Sequence, residues 1–141
     1  MLRQEHWQAM RAQAESCSPM EACGLLAGRE GAVHEVLPVT NRDQSPTSFR
    51  MDPAEQLRAF RWIEERGLDL VGIDHSHPLL RGAASAPGEH PSPTDIAEAA
   101  YPAVHLVWSR PRGPWQARGF WIEGGHVSEV TLQIEGGEKP S

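Results

Sequence analysis

The fold and the candidate site depend on one segment, Leu70-Val71-Gly72-Ile73-Asp74-His75-Ser76-His77-Pro78. Its apolar first half, interrupted only by a glycine, predicts a buried strand. Residues two apart on a strand point to the same face, so His75 and His77 should project together while Ser76 turns away. Two imidazoles on a stiff strand offer two nitrogen ligands to a metal ion.

A second segment, Ser92-Pro93-Thr94-Asp95, predicts the start of a helix that continues through Ile96 to Ala100. Ser92 or Thr94 can cap this helix, and Pro93 suits its first turn. Asp95 then lies at the positive end of the helix dipole. It is the natural third ligand, because a His/His/carboxylate set binds zinc and leaves the fourth position for water.

Each of these signals is weak when taken alone. Seven histidines in 141 residues produce close pairs by chance, and an Asp in a first helical turn usually has a structural role. The order of strand, His-x-His-Pro, polar loop, Ser-x-x-Asp and helix strengthens the combined signal. On the residues alone, a metal site and a structural arrangement are about equally favoured.

At these residues the chain resembles the JAMM (MPN+) metalloprotease family, whose signature is a Glu, then His-x-His-Pro, then Ser-x-x-Asp. Glu21 matches the upstream Glu, and the segment 19–28 around it resembles the bacterial and archaeal single-domain members. The similarity runs from the first helix to about Ile134. One departure is the spacing, since 17 residues separate His77 from Asp95 and predict an insertion over 79–91.

The resemblance implies a site in which His75, His77 and Asp95 hold Zn²⁺. Glu21 would be the proton acceptor and donor beside the water, and Ser92 would donate a hydrogen bond to the developing oxyanion. Glu21 has an alternative interpretation as a surface residue at a helix–strand junction. Ser92 has one as a plain N-cap, and its two roles can coexist.

The rest of the chain predicts an α/β fold with a mixed β-sheet flanked by helices. The resemblance implies the JAMM/MPN (cytidine deaminase-like) form of it. Leu57, Phe60 and Ile63 should form the apolar side of the second helix. The predicted helices cover 3–17, 53–66 and 95–100; the predicted strands cover 22–28, 33–39, 70–74, 104–108, 116–123 and 126–134, the last two joined at Gly124-Gly125.

Composition indicates one domain over 1–135, followed by a tail over 136–141 that we expect to be disordered. A formal net charge of −6 without a basic cluster argues against nucleic acid. No apolar run is long enough to span a bilayer, and the first residues lack the pattern of a signal peptide, so we expect the cytoplasm. Cys17 and Cys23 provide no disulfide framework.

The leading functional hypothesis is a zinc-dependent hydrolase of peptide or isopeptide bonds. The resemblance implies that its substrate is the Gly-Gly tail of a ubiquitin-like or sulfur-carrier protein. One alternative is a non-catalytic MPN scaffold, which the complete ligand set argues against. Another is a zinc amidohydrolase of small molecules, which the sequence leaves open, as it does the oligomeric state.

Three further expectations concern the rim and the other histidines. The segment 79–91 should be mobile and should order around a substrate tail. His90 should be an exposed loop residue. No role is assigned to the remaining histidines, which are His6, His34, His105 and His126.

Overall fold

A six-stranded mixed sheet carries the candidate site, in the strand order β3-β2-β4-β5-β6-β7. The computed structural model describes residues 2–78, 89–92, 95–96, 99, 103–110 and 113–135. Within this part, β4 and β5 are parallel and the other neighbours in the sheet are antiparallel. The six strands are β2 (Cys23–Arg29), β3 (Ala32–Val39), β4 (Asp69–His77), β5 (Ala103–Ser109), β6 (Gln116–Glu123) and β7 (His126–Val130). The predicted mixed sheet flanked by helices is therefore confirmed.

One face of the sheet is covered by the helix α1 (Gln4–Cys17). Its buried side chains recur at helical spacing, as the sequence predicts, and include Trp7 and Met10. The Trp7 ring packs against Trp108 of β5 with the ring centroids 4.5 Å apart. This contact places α1 across the middle of the sheet and leaves the opposite face for the site.

The opposite face is covered in part by the helix α2 (Pro53–Glu65), which begins at an N-cap. The Asp52 carboxylate accepts hydrogen bonds from the backbone N–H groups of Ala54 and Glu55, which satisfies two of the free donors of the first turn. Beneath α2 lies an apolar cluster that includes Cys23, Leu25, Val39, Met51, Ile73 and Ala103.

The prediction for the apolar side of α2 was wrong at Leu57, which is 52% exposed. Ile63 is the buried residue of this helix, and Phe60 is partly buried against the sheet. At about 100° per residue, Leu57 lies about 120° around the helix from Ile63. The surface that α2 packs against the sheet is too narrow to include Leu57.

A two-stranded parallel sheet joins β1 (Leu2–Arg3) to β8 (Ile134–Glu135), and the sequence did not predict it. Two-residue strands are too short to show an alternating pattern. The predicted 126–134 strand is therefore divided: β7 ends at Val130, and Ile134 belongs to β8. The chain after Val130 instead passes over Gly119, where a Cβ atom would lie 2.7 Å from Leu132 Cδ2.

The strand β4 is longer than the predicted 70–74, since it continues through both histidines. It lies between β2 and β5, and every residue from Gly72 to His77 is buried. A central strand holds its side chains more rigidly than a loop would. The histidines are therefore presented by the core of the sheet.

Some predictions fall on residues outside the described part of the chain. These are most of the 79–91 insertion, most of the helix over 95–100 (of which Asp95 and Ile96 are helical) and the 136–141 tail. The predicted hairpin at Gly124 and Gly125 is confirmed, and both glycines have positive φ, 57° and 83°. Among the described helices, none has the length and apolar character needed to cross a membrane.

Candidate metal centre

His75 and His77 lie on the same face of β4, as their spacing predicts. Their Nε2 atoms are 3.2 Å apart, and both rings are almost fully buried. Ser76 points to the other face, where its Oγ accepts a hydrogen bond of 2.8 Å from the backbone N–H of Ala22. This bond fixes the position of β4 relative to the residue that follows Glu21.

Asp95 brings a carboxylate to the two histidines. Its Oδ2 lies 3.0 Å from His75 Nε2 and 3.2 Å from His77 Nε2. Ser92 holds it there, because the Ser92 backbone N–H donates to Asp95 Oδ2 at 2.8 Å and the Asp95 N–H donates to Ser92 Oγ at 3.0 Å. Ser92 thus has the geometry of an N-cap.

Glu21 completes the cluster from the segment just before β2. One of its carboxylate oxygens, with a ring nitrogen from each of His75 and His77, belongs to a group of ligand atoms that all lie within 4.8 Å of one another. The residue is 1% exposed, so its interpretation as a surface residue is wrong. Its backbone is held by the 41–48 loop, since its N–H donates to Ser45 O and its C=O accepts from Asn41 Nδ2.

The charges in this cluster shift the pKa values in opposite directions. Burial, reinforced by the negative charge of Asp95, raises the pKa of Glu21 to about 9. For Asp95, burial acts to raise the pKa, but hydrogen bonds with His75 and His77 hold it well below its usual range. Burial lowers the pKa of His75, so its ring is neutral near pH 7. Neutral imidazole and ionised carboxylate are the forms that bind metal ions.

The unmet hydrogen-bonding capacity of the cluster fits a divalent cation. Both carboxylate oxygens of Glu21 are buried and have no hydrogen-bond partner among the described residues. Two imidazole nitrogens and a carboxylate oxygen converge on one small volume, as in tetrahedral zinc sites with an open position. A cation and its water would satisfy groups that the protein itself leaves unpaired.

Two residues beside the cluster were not singled out from the sequence. The Phe49 ring stacks on His75 with the centroids 4.6 Å apart. His105 of β5 is 3% exposed, and neither of its ring nitrogens has a hydrogen-bond partner in the part of the chain that the structure describes. His105 lies on the same face as His75 because of the register between β4 and β5. The sequence does not reveal that register, so it gave no signal for His105.

The far end of the inserted segment contacts the sheet near the site. Arg118 of β6 lies 3.2 Å from Glu89 and also pairs with Glu129 of β7. His90 is exposed, as expected, and its ring centroid lies 5.3 Å from that of Phe120. Arg118 therefore joins the end of the insertion to the edge of the sheet.

The fold and the cluster together define a JAB1/MPN-type α/β domain with a buried candidate metal centre. The family described as prokaryotic homologs of the JAB domain (Prok-JAB) has a model that matches residues 3–122. The chain belongs to this family. The family resemblance seen in the sequence is confirmed.

Relatives with assigned names are similar along almost the whole chain. The CysO-cysteine peptidase of Mycobacterium tuberculosis is 36% identical over 138 residues, which cover 95% of this chain and 90% of that protein. The desampylase of Pyrococcus furiosus is 34% identical over 134 residues, which cover 93% and 88%.

Solved structures share the fold. Protein DSY2949 of Desulfitobacterium hafniense superposes with a TM-score of 0.80 at 34% identity, over 95% of this chain and 91% of that one. AF2198 of Archaeoglobus fulgidus, a JAB1/MPN domain protein, superposes with a TM-score of 0.57 at 20% identity, over 94% and 96%. The predicted JAMM/MPN fold is confirmed.

Proposed function

We propose that this protein is a zinc-dependent JAMM-type peptidase that cleaves peptide or isopeptide bonds at the flexible Gly-Gly tail of a ubiquitin-like or sulfur-carrier protein. The observation that carries the proposal is the convergence of two buried imidazoles and two carboxylates on one volume. The peptidase and desampylase names of the relatives support the class of reaction and the class of substrate.

His75, His77 and Asp95 would hold the zinc ion. When bound, zinc polarises the scissile carbonyl and lowers the pKa of a coordinated water toward neutrality. The protein contributes the rigid placement of its ligands. Two come from adjacent positions on one face of a central strand, and the third is held by the backbone N–H of Ser92.

Glu21 is the proton carrier of this proposal. Its carboxylate is buried and has no partner among the residues that the structure describes. Burial raises the pKa of the group to about 9, so it binds a proton readily. A bound cation acts in the opposite direction and favours the ionised form that accepts the proton. The same carboxyl group can then return the proton to the amine that leaves.

Ser92 provides the hydrogen bond to the oxyanion. Its Oγ accepts from the Asp95 N–H as an N-cap, which leaves the hydroxyl proton available to donate. A donor fixed by a cap does not need to reorganise during the reaction.

One catalytic domain over 1–135, followed by a short tail over 136–141, is part of this proposal. The substrate protein is its predicted partner. The cytoplasmic location stays a prediction.

The test is cleavage of defined conjugates by the full chain after zinc reconstitution. A carrier protein ending in Gly-Gly is joined to cysteine through a peptide bond and to lysine through an isopeptide bond, and mass spectrometry follows release of the carrier. The proposal predicts cleavage that a chelator stops and zinc restores. Cleavage of small amides alone would favour the amidohydrolase alternative, and absence of both zinc and cleavage would favour the scaffold.

A further inference from the structure

His75 has a ring nitrogen whose partner the proposed metal site does not supply. Its Nε2 faces Asp95 and His77, so Nε2 is the atom that would bind zinc. Its Nδ1 must then carry the proton, yet this atom is buried without a hydrogen-bond partner among the described residues. Histidine ligands almost always donate the second ring N–H to a carboxylate, a carbonyl or a water.

The side chains paired directly with His75 offer no strong acceptor. Its neighbour on β2 is Cys23, whose thiol donates to Val39 O at 3.4 Å, and its neighbour on β5 is Val107. Phe49 stacks against the ring itself. Among the described residues of the sheet, a side-chain acceptor for Nδ1–H is therefore sought in a diagonal neighbour on the same face.

His105 is such a neighbour. The ladder pairs Ile73 with His105 and His75 with Val107, so His75 and His105 are diagonal on one face of the sheet. Diagonal residues on one face of a sheet lie within reach of one another when their side chains are long or aromatic, so one water can bridge the ring nitrogens of two such histidines. His105 is buried, and both of its ring nitrogens lack partners in the described part of the chain.

The protonation state of His105 suits an acceptor. Burial, together with the nearby His75, lowers the pKa of His105 to about 4, while Asp95 opposes the shift. The ring is therefore neutral near pH 7, with one N–H and one free lone pair.

We propose that His105 is a positioning residue for the metal centre. One buried water accepts a hydrogen bond from His75 Nδ1–H and donates one to a ring nitrogen of His105. This bridge holds His75 in the tautomer that binds zinc through Nε2. This inference rests on the proposed function only in requiring that the site binds zinc.

The first test measures zinc affinity by competition with a chromogenic chelator. His105→Phe keeps a ring in the core but removes both nitrogens, and zinc should bind about 10- to 100-fold more weakly. His105→Gln keeps a side-chain acceptor and should recover most of the affinity. Ser109→Ala is the matched control, because Ser109 is the other diagonal neighbour of His75 on β5 and its loss should leave the affinity unchanged.

The second test uses the unaltered protein with zinc bound and needs no variant to fold. In the ¹⁵N-resolved NMR spectrum, the His75 Nδ1–H proton should exchange slowly with solvent and show cross-relaxation with a bound water and with His105 ring protons. A folded His105→Phe variant with the affinity of the unaltered protein would overturn the inference. So would a His75 Nδ1–H proton whose contacts do not include His105.

These outcomes are distinct from failure of the proposed function. A chain that binds zinc with the His105 dependence described, yet cleaves no conjugate, refutes the function and leaves the inference standing. A folded His105→Phe variant that binds zinc with the affinity of the unaltered protein and cleaves conjugates normally refutes the inference alone. A chain that binds no zinc refutes both.

Discussion

At the scale of single residues, the centre combines groups that a folded protein seldom leaves unpaired. Glu21 is buried with no hydrogen bond from the described residues to its carboxylate, and the two histidine Nε2 atoms face one another at 3.2 Å. Such an arrangement is unfavourable for the fold alone, since a buried polar group without a partner costs about 1–3 kcal/mol. A bound cation would offset this cost, which is the physical reason for treating the cluster as a metal centre.

Replacing Glu21 by Gln separates proton transfer from zinc binding. The amide keeps the size of the side chain but cannot accept the proton, so hydrolysis should fall by roughly 10²-fold or more while zinc content stays the same. Steady-state cleavage and elemental analysis on the same preparation check this. Near-normal turnover would remove Glu21 from the mechanism.

Replacing Ser92 by Gly separates the oxyanion donor from the helix cap. Glycine is only a few tenths of a kcal/mol worse than serine as an N-cap, but it has no hydroxyl. The free energy of unfolding should change little, whereas kcat should fall by about 10²- to 10³-fold. Ser92→Thr, which keeps both functions, is the control. Unchanged kcat in Ser92→Gly would leave the residue with its capping role only.

Asp74 gives a pH dependence of stability with a definite sign. It lies over Gly24 on the α1 face, and burial raises its pKa from 3.8 to about 7. The folded state therefore binds more protons than the unfolded state between these values, and stability falls as the pH rises through this window. Asp74→Asn should flatten the decline. Urea unfolding at pH 5 and pH 8 gives the change in the free energy of unfolding for the unaltered protein and for Asp74→Asn, both metal-free. An equal change in both proteins would contradict the role given to Asp74.

At the scale of elements, the two sides of the site have different support. His75 and His77 are held by a central strand, while Asp95 follows an insertion tied to the sheet at Glu89 by Arg118. The sequence predicted the shared face of the histidines because a strand has a period of two. It could not predict that His105 joins them, because strand register depends on contacts between distant segments.

The predicted rim over 79–91 is best tested by shortening it. If the segment contacts substrate and not the ligands, a version of the loop closer to the usual family length should keep its zinc content and change KM or substrate preference. Elemental analysis and kinetics on two conjugates of different tail length check this. Loss of zinc in the shortened protein would show that the segment supports the ligands directly.

At the scale of the whole molecule, the predicted architecture was right in its long elements and wrong where local pattern carries little information. The helix α1 and the strands β2, β3, β5 and β6 were recovered to within a residue, whereas β4 continues three residues beyond its predicted end. The pairing of β1 with β8 was missed, because two residues carry no periodicity. Leu57 was predicted to lie on the packed side of α2, because hydrophobicity alone does not show how wide a contact this helix makes with the sheet.

The sequence shows the order of the five site residues, but it does not show that they converge in space. These residues are Glu21, His75, His77, Ser92 and Asp95. Glu21 lies 54 residues before His75 in the sequence and reaches it only because β2 and β4 are neighbours in the sheet. The resemblance to the JAMM family supplied this link. The geometry of the folded chain supports it independently.

The most direct test of the central claim is the zinc content of the purified chain, measured by elemental analysis beside that of His77→Ala. With two imidazoles and one carboxylate as ligands, the unaltered protein should hold about one zinc per chain after reconstitution, and His77→Ala should lose it. Circular dichroism must show that the variant is folded. A folded, reconstituted chain that holds no zinc, or a His77→Ala variant that holds as much as the unaltered protein, would contradict the account.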